Sequence, residues 1–177
     1  MERQLQAIQP ILDVPFIRRV RRNHGLEHAT IHLLSRKVEN LRVIGRSDAG
    51  GFWLYGDVDT TMLRSAADDA LRRMRGGEHK LAIHPNCGTN LVTIAFLGAV
   101  ATLIALMGAE RERMGKLSRL PMIMMGIMLS VVFGQSIGAK LQEHVTTLGD
   151  PGDLEILEVK SMVGSSVPLH RVLTRSS

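Results

Sequence analysis

Residues 91–109 read LVTIAFLGAVATLIALMGA and residues 120–139 read LPMIMMGIMLSVVFGQSIGA, and neither run contains a charged side chain. Each approaches the ~20 residues that an α-helix needs to cross a ~30 Å hydrocarbon core. The competing reading, two buried helices of a soluble protein, is weaker because such helices seldom run this long without charge. Two transmembrane helices are therefore expected, and the rest of the 177-residue chain has to be arranged around them.

The short link at residues 110–119 makes the two spans antiparallel, so their outer ends share one side. Small residues recur along both: Ala101, Ala105 and Ala109 in the first, and Gly126, Ser130, Gly134 and Gly138 at four-residue spacing in the second. This small-xxx-small pattern lets helix backbones approach closely in lipid, which predicts a packed hairpin and offers a face for a homo-oligomer. Charge does not orient the hairpin. Arg111, Arg113, Lys116 and Arg119 in the link are opposed by Arg72, Arg73, Arg75, Lys80 and Lys140 at the outer ends. Residues 1–10 are polar and lack an apolar stretch followed by a small-residue cleavage site, so no exported leader is expected. The polar part is accordingly expected on the cytoplasmic side of the membrane.

The net charge is +5, and the densest basic run is Arg18-Arg19-Val20-Arg21-Arg22. Binding to nucleic acid would call for aromatic stacking residues among the basic ones, but the chain has one Trp, one Tyr and four Phe, with only Phe16 near the run. Nucleic acid is therefore not expected as a partner. Leu12, Phe16, Ile17 and Val20 give residues 1–22 an apolar side, so this amphipathic basic lead reads as an interfacial segment against membrane lipid. A plain solvated face is the alternative. Pro10 and Pro15 predict an irregular start to it. The lone cysteine, Cys87, rules out an intramolecular disulfide and favours a reducing compartment.

Upstream of the spans lies His24-Gly25-Leu26-Glu27-His28. On a helix, positions i and i+4 share a face, so His24 and His28 can reach one ion with Glu27 beside them. The order His-x-x-Glu-His is the inverted form of the zinc-protease signature, whose glutamate serves as general base. A capped helix with surface histidines is the bland reading, with Asn23 as the N-cap and Leu26, Ile31, Leu33, Leu34 and Val38 as core. The helix is expected over residues 23–38. His32 continues the series one turn further and reads more readily as a hydrogen-bonded histidine than as a third ligand. A second cluster, His84-Pro85-Asn86-Cys87, carries ligand types that suit zinc, and Thr89 or Asn90 is the expected cap of the first span.

Residues 41–46 and 52–57 flank a Ser/Asp/Gly cluster and read as a β-hairpin. A phosphate-binding loop is excluded by the missing lysine and glycine spacing. Asp59 or Thr60 is expected to cap a helix ending at Gly76-Gly77, and residues 78–83 read as a third strand. After the second span, Gln142-Glu143-His144 returns to the membrane surface. The turn Asp150-Pro151-Gly152-Asp153 then separates it from closing strands at 154–162 and 167–174, the last containing His170. The expected fold class is α+β: a discontinuous helix/strand domain of residues 23–90 and 140–177 around the two-helix transmembrane hairpin.

With both clusters quoted, the chain resembles the YqhQ-like bacterial membrane proteins, which are predicted to be metal-dependent enzymes of unknown function. That family shows His-Gly-Ala-Glu-His-Lys and His-Pro-Arg-Cys-Gly-Thr motifs. Here they stand as His24-Gly25-Leu26-Glu27-His28-Ala29 and His84-Pro85-Asn86-Cys87-Gly88-Thr89, with Ala29 and Asn86 where the family has basic residues. The overall layout also looks like a shorter bacterial family with no activity to lend. The first resemblance implies a bacterial inner-membrane location, His24, His28, His84 and Cys87 as metal ligands, and Glu27 as the catalytic acid/base. Zinc, or another divalent transition metal, is the implied cofactor.

Three functions follow as expectations. The first is a membrane-anchored zinc hydrolase acting on a peptide or other substrate at the membrane surface. The second is a non-enzymatic membrane module in which all four ligands close a structural zinc site. The third takes Cys87 as a nucleophile with His24 or His84 as its base, and leaves the His-x-x-Glu-His spacing without a role.

Overall fold

The computed structural model describes residues 2–107, 115–162 and 168–177, with side chains described from residue 7 onward outside 108–116 and 163–167. It has the expected mixed helix and strand architecture. The chain forms two compact units, Met1–His84 with Gln142–Ser177, and Pro85–Leu141.

In the first unit, helices α1 (Glu2–Leu12), α2 (Pro15–Ser35) and α3 (Thr60–Arg75) accompany strands β1 (Ile44–Asp48), β2 (Gly51–Tyr55), β3 (Glu155–Met162) and β4 (Leu169–Arg175). The strands form an antiparallel sheet in the order β1-β2-β4-β3. The hairpin between β1 and β2 is as expected, and the closing strands enter the same sheet, with β4 hydrogen-bonded to β2. Val167 of the expected last strand lies outside the described residues. One face of β2 is covered: Phe52 and Leu54 are fully buried, and pack with Leu26, Leu33 and Leu34 of α2, Leu63, Ala66, Ala70 and Met74 of α3, and Val172 of β4. Burying each such large apolar side chain contributes ~1.5–3 kcal/mol, so a one-residue slip of β2, which would turn Phe52 and Leu54 outward, is strongly disfavoured.

Three local expectations are corrected. The lead is interrupted at Asp13 and Val14, as expected, but it is helical on both sides instead of irregular, and Pro15 opens α2 with Val14 as N-cap. Proline is suited to the first helical position because its missing N–H has no partner there and its φ is already helical. Pro10 likewise sits inside the last turn of α1. The motif helix therefore starts eight residues earlier than Asn23, and Asn23 is not a cap but a fully buried mid-helix residue. Its Nδ2 donates to the Asp48 carbonyl at 2.8 Å and its Oδ1 accepts from Thr174 Oγ1 at 2.7 Å, tying α2 to β1 and β4. Finally, residues 78–83 are not a strand. His79–Ala82 form a 3-10 turn along α2, with Ala82 buried in the core. A short run without a neighbouring strand satisfies its backbone better by curling.

The basic run has partners inside this unit. Arg21 is buried and donates to the carbonyls of His144 at 3.0 Å and Thr147 at 3.2 Å, while Arg22 pairs with Asp153 at 2.5 Å and Arg18 reaches the Ser177 carbonyl at 3.4 Å. These bonds bring the C-terminal segment, including a π-helical turn at Gln142–Thr146, back onto α2.

In the second unit, α4 (Gly88–Leu106) and α5 (Leu120–Leu141) pack against each other, and both are long and apolar enough to cross a membrane. The first begins a little earlier than expected, because Cys87, not Thr89 or Asn90, is its N-cap: Sγ accepts the Thr89 N–H at 3.4 Å. The glycine stripe of α5 faces α4. A Cβ added at Gly126 would lie 2.8 Å from the Ala101 Cβ, and one at Gly134 would lie 2.6 Å from Ile94 Cγ1. Ser130 is buried against Gly98. The stripe thus seats the hairpin. Large apolar side chains such as Phe96, Leu103, Met128, Val132 and Phe133 remain outward and exposed. Ala109, Arg111 and Arg113 of the link lie outside the described residues.

Asn23→Ala strands a buried carbonyl and a buried hydroxyl, and is expected to lower stability by ~2–4 kcal/mol in chemical denaturation. His170 in β4 gives a separate signature. It is buried, with Nδ1 3.3 Å from Thr60 Oγ1, and desolvation holds its pKa below the usual 6.5 although Asp57 and Asp59 act the other way. The unfolded chain then binds the proton more readily than the folded one. His170 costs no stability above about pH 6.5, and its penalty grows as pH falls from there through its lower folded pKa. In His170→Leu, denaturation midpoints measured across this range should fall less steeply with acid than in the wild type.

Candidate metal centre

Helix α2 carries His24, Glu27, His28 and His32 on its inner side, with Glu27 4 % and His28 3 % exposed. Three segments receive them. The turn before His84 lies along one edge, the 142–148 segment crosses near His24, and β1 lies against Glu27. Gly25 makes the crossing possible, because a Cβ there would lie 2.5 Å from the Leu148 carbonyl oxygen. Leu148 donates its own N–H to the Arg21 carbonyl at 3.0 Å. A glycine in a helix interior costs ~1 kcal/mol relative to alanine, so the sequence does signal a close approach at this position.

Both motif imidazoles are fixed through Nδ1. That atom lies 2.9 Å from the Thr146 carbonyl oxygen in His24 and 2.7 Å from the Ala82 carbonyl oxygen in His28. A carbonyl only accepts, so each Nδ1 carries the proton and each Nε2 the lone pair. This is the tautomer and orientation that metal-ligating histidines take when a backbone carbonyl holds the other nitrogen. The two ring centroids are 4.4 Å apart. His84 extends the row, 5.7 Å from His28 and 4.6 Å from His32 by centroid. Burial lowers its pKa to about 4, aided by the neighbouring His32 and His28 imidazoles, so it is neutral at physiological pH.

Among the described residues, His24, His28 and Cys87 form a group able to hold a metal ion, with ligand atoms all within 4.8 Å of one another. His84 stacks beside His28 and stands outside that group of three. His144 and His170 are elsewhere: the former lies next to Glu143, the latter next to Thr60.

Glu27 points to β1. Ser47 Oγ donates to its Oε2 at 2.5 Å, and a Cβ at Gly45 would overlap the carboxylate. Gly45 and Ser47, two residues apart, thus form a seat on one face of the strand. Burial raises the Glu27 pKa, while the Ser47 hydrogen bond and nearby His24 oppose the rise. No ion pair to Glu27 occurs among the described residues. Sequence reasoning missed Gly45, Ser47 and the Thr146 and Ala82 carbonyls, since backbone acceptors and a strand serine leave no pattern.

The family described as "Domain of unknown function (DUF6391)" matches residues 19–159, which include both motifs and both apolar helices. The chain belongs to the DUF6391 family. A similar protein is an uncharacterized protein of Picosynechococcus sp., 31 % identical over 184 residues that cover 97 % of this chain and 85 % of that protein. No solved structure matches. The family shown is therefore DUF6391, and the YqhQ-like likeness stays with the two quoted motifs.

In this DUF6391 chain the β1 seat is open to test. Gly45→Ala should push the Glu27 carboxylate off β1, and Ser47→Ala should leave it buried without its donor. Each is expected to cost ~1–3 kcal/mol, read as a lower thermal midpoint, and Glu27→Leu, which removes the acceptor, should make Ser47→Ala nearly neutral in a double-mutant cycle.

Proposed function

We propose that the protein is a membrane-anchored, metal-dependent hydrolase, with zinc or another divalent transition metal held by His24, His28 and Cys87 and with Glu27 as general base. The observation that carries this reading is the buried Glu27 carboxylate set beside two histidines of ligand tautomer. A buried carboxylate without a cationic partner is costly, and a divalent cation at the neighbouring group offsets that cost. Three ligands also leave a tetrahedral ion one position for water or substrate, as catalytic zinc sites do, whereas structural sites use four protein ligands.

The ion would supply Lewis acidity, acidifying water and polarising a substrate carbonyl. Glu27, held through Oε2 by Ser47, would take the proton from the attacking water and pass it to the leaving group. Its raised pKa moves it closer to the range where a carboxyl both accepts and returns a proton. Cys87 caps α4, with Sγ accepting the Thr89 N–H. Peptide or amide bonds close to a membrane surface are the substrate class this reading favours, since α4 and α5 suit a transmembrane anchor. The motif likeness to the YqhQ-like proteins supports the same chemistry.

Elemental analysis of detergent-purified protein tests it. Dialysed free of weakly held metal, wild type and Glu27→Gln should each retain about one zinc per chain, while His28→Ala and Cys87→Ala should lose it. Against a peptide or amide library, Glu27→Gln should reduce turnover by ~10²–10⁴. A metal-free wild type after zinc resupply would refute the reading. Full activity in Glu27→Gln would remove its catalytic role and leave a structural zinc module.

A further inference from the structure

We infer that His32 and His84 form a second metal site, adjoining the His24, His28 and Cys87 group, for an ion of borderline or soft character such as Zn²⁺. This goes beyond the hydrolase reading and rests on its own residues.

His32 Nε2 lies 2.8 Å from the Ile83 carbonyl oxygen. Since the carbonyl only accepts, Nε2 carries the proton and Nδ1 the lone pair, the mirror of the arrangement at His24 and His28. The carbonyl that orients His32 belongs to the residue immediately before His84, so one backbone segment positions both rings. That segment is pinned in turn: the His84 N–H donates at 2.9 Å to Oε1 of the fully buried Gln142. The His32 and His84 centroids are 4.6 Å apart with the planes inclined by 53°. Both side chains are half-buried and so within reach of an ion from solution, whereas His28, the next ring in the row, is buried.

Packing several imidazoles together is unfavourable for their protonated forms, which repel one another. The same crowding suits one shared cation, because neutral imidazoles present lone pairs without mutual charge repulsion. An all-nitrogen donor pair selects zinc, copper or nickel over magnesium and calcium, which prefer oxygen. With only two protein ligands the site would complete its shell with water and bind more weakly than the inner group.

The test is titration of metal-free, detergent-purified full-length protein with Zn²⁺, followed by calorimetry, and with Co²⁺, followed by absorption. Wild type should take up about two ions per chain: one class giving a thiolate-to-cobalt charge-transfer band, the weaker class adding none. His32→Gln keeps a donor for the Ile83 carbonyl and removes the ring. It should bind about one ion and retain the thiolate band, with circular dichroism unchanged. Cys87→Ala should lose the band and keep the weaker class. His32→Gln binding as many ions as the wild type overturns the second site. So does a wild type with one ion that is lost in Cys87→Ala but kept in His32→Gln, which leaves the hydrolase reading standing. One ion lost in His32→Gln and kept in Cys87→Ala supports the second site and removes the hydrolase reading.

Discussion

Helix α2 buries a polar face. Asn23, Glu27, His28 and Thr30 are each less than a tenth exposed along barely two turns, and a buried polar group without a partner costs more than a typical hydrogen bond returns. The first unit is arranged so that each finds one. Asn23 is met by β1 and β4, Glu27 by Ser47, His28 by the Ala82 carbonyl, and Thr30 by its own helix through the Leu26 carbonyl at 2.7 Å. An amphipathic helix on a sheet would normally put such residues in water. That they are enclosed and hydrogen-bonded sets this face apart from a solvated surface.

The partners come from far along the chain. β1 is 25 residues away, the 79–84 turn more than fifty, and the 142–148 segment more than one hundred and twenty, as the bonds from Asn23, His28 and His24 show. Arg21 clamps that last segment, Arg22 holds the turn beyond it through Asp153, and Gly25 gives the backbone of the segment room to pass. The arginine run therefore does structural work beside the site. Because each of the three sequence-remote segments holds a different side chain of the helix, the orientation of this polar face depends on the whole unit being folded.

The apolar helices obey a different constraint. Their outward side chains are exposed and their small residues face each other, the reverse of a soluble helical hairpin. Close backbone packing is what pairs helices in lipid, and Gly126, Gly134 and Ser130 bring α4 and α5 together in that way. The short reach from His84 to the Cys87 cap places two candidate ligand types within four residues of the first helix's start.

Much of this was legible in the sequence, because it depends on local periodicity. Charge-free runs marked α4 and α5, the Ser/Asp/Gly cluster marked the β1–β2 turn, and Asp59 and Gly76 bracketed α3. The i, i+4 spacing placed His24 and His28 on one face. What sequence reasoning got wrong turned on context: Pro15 as an opener, Asn23 as a tertiary bridge, residues 78–83 as a turn along a helix. Only the tertiary structure decided which nitrogen of each histidine bears the proton, that Gly45 and Ser47 seat Glu27, and that His84 pairs with His32. Those choices are made by backbone carbonyls and close approaches between segments far apart in the chain, and a backbone carbonyl carries no residue identity for the sequence to record.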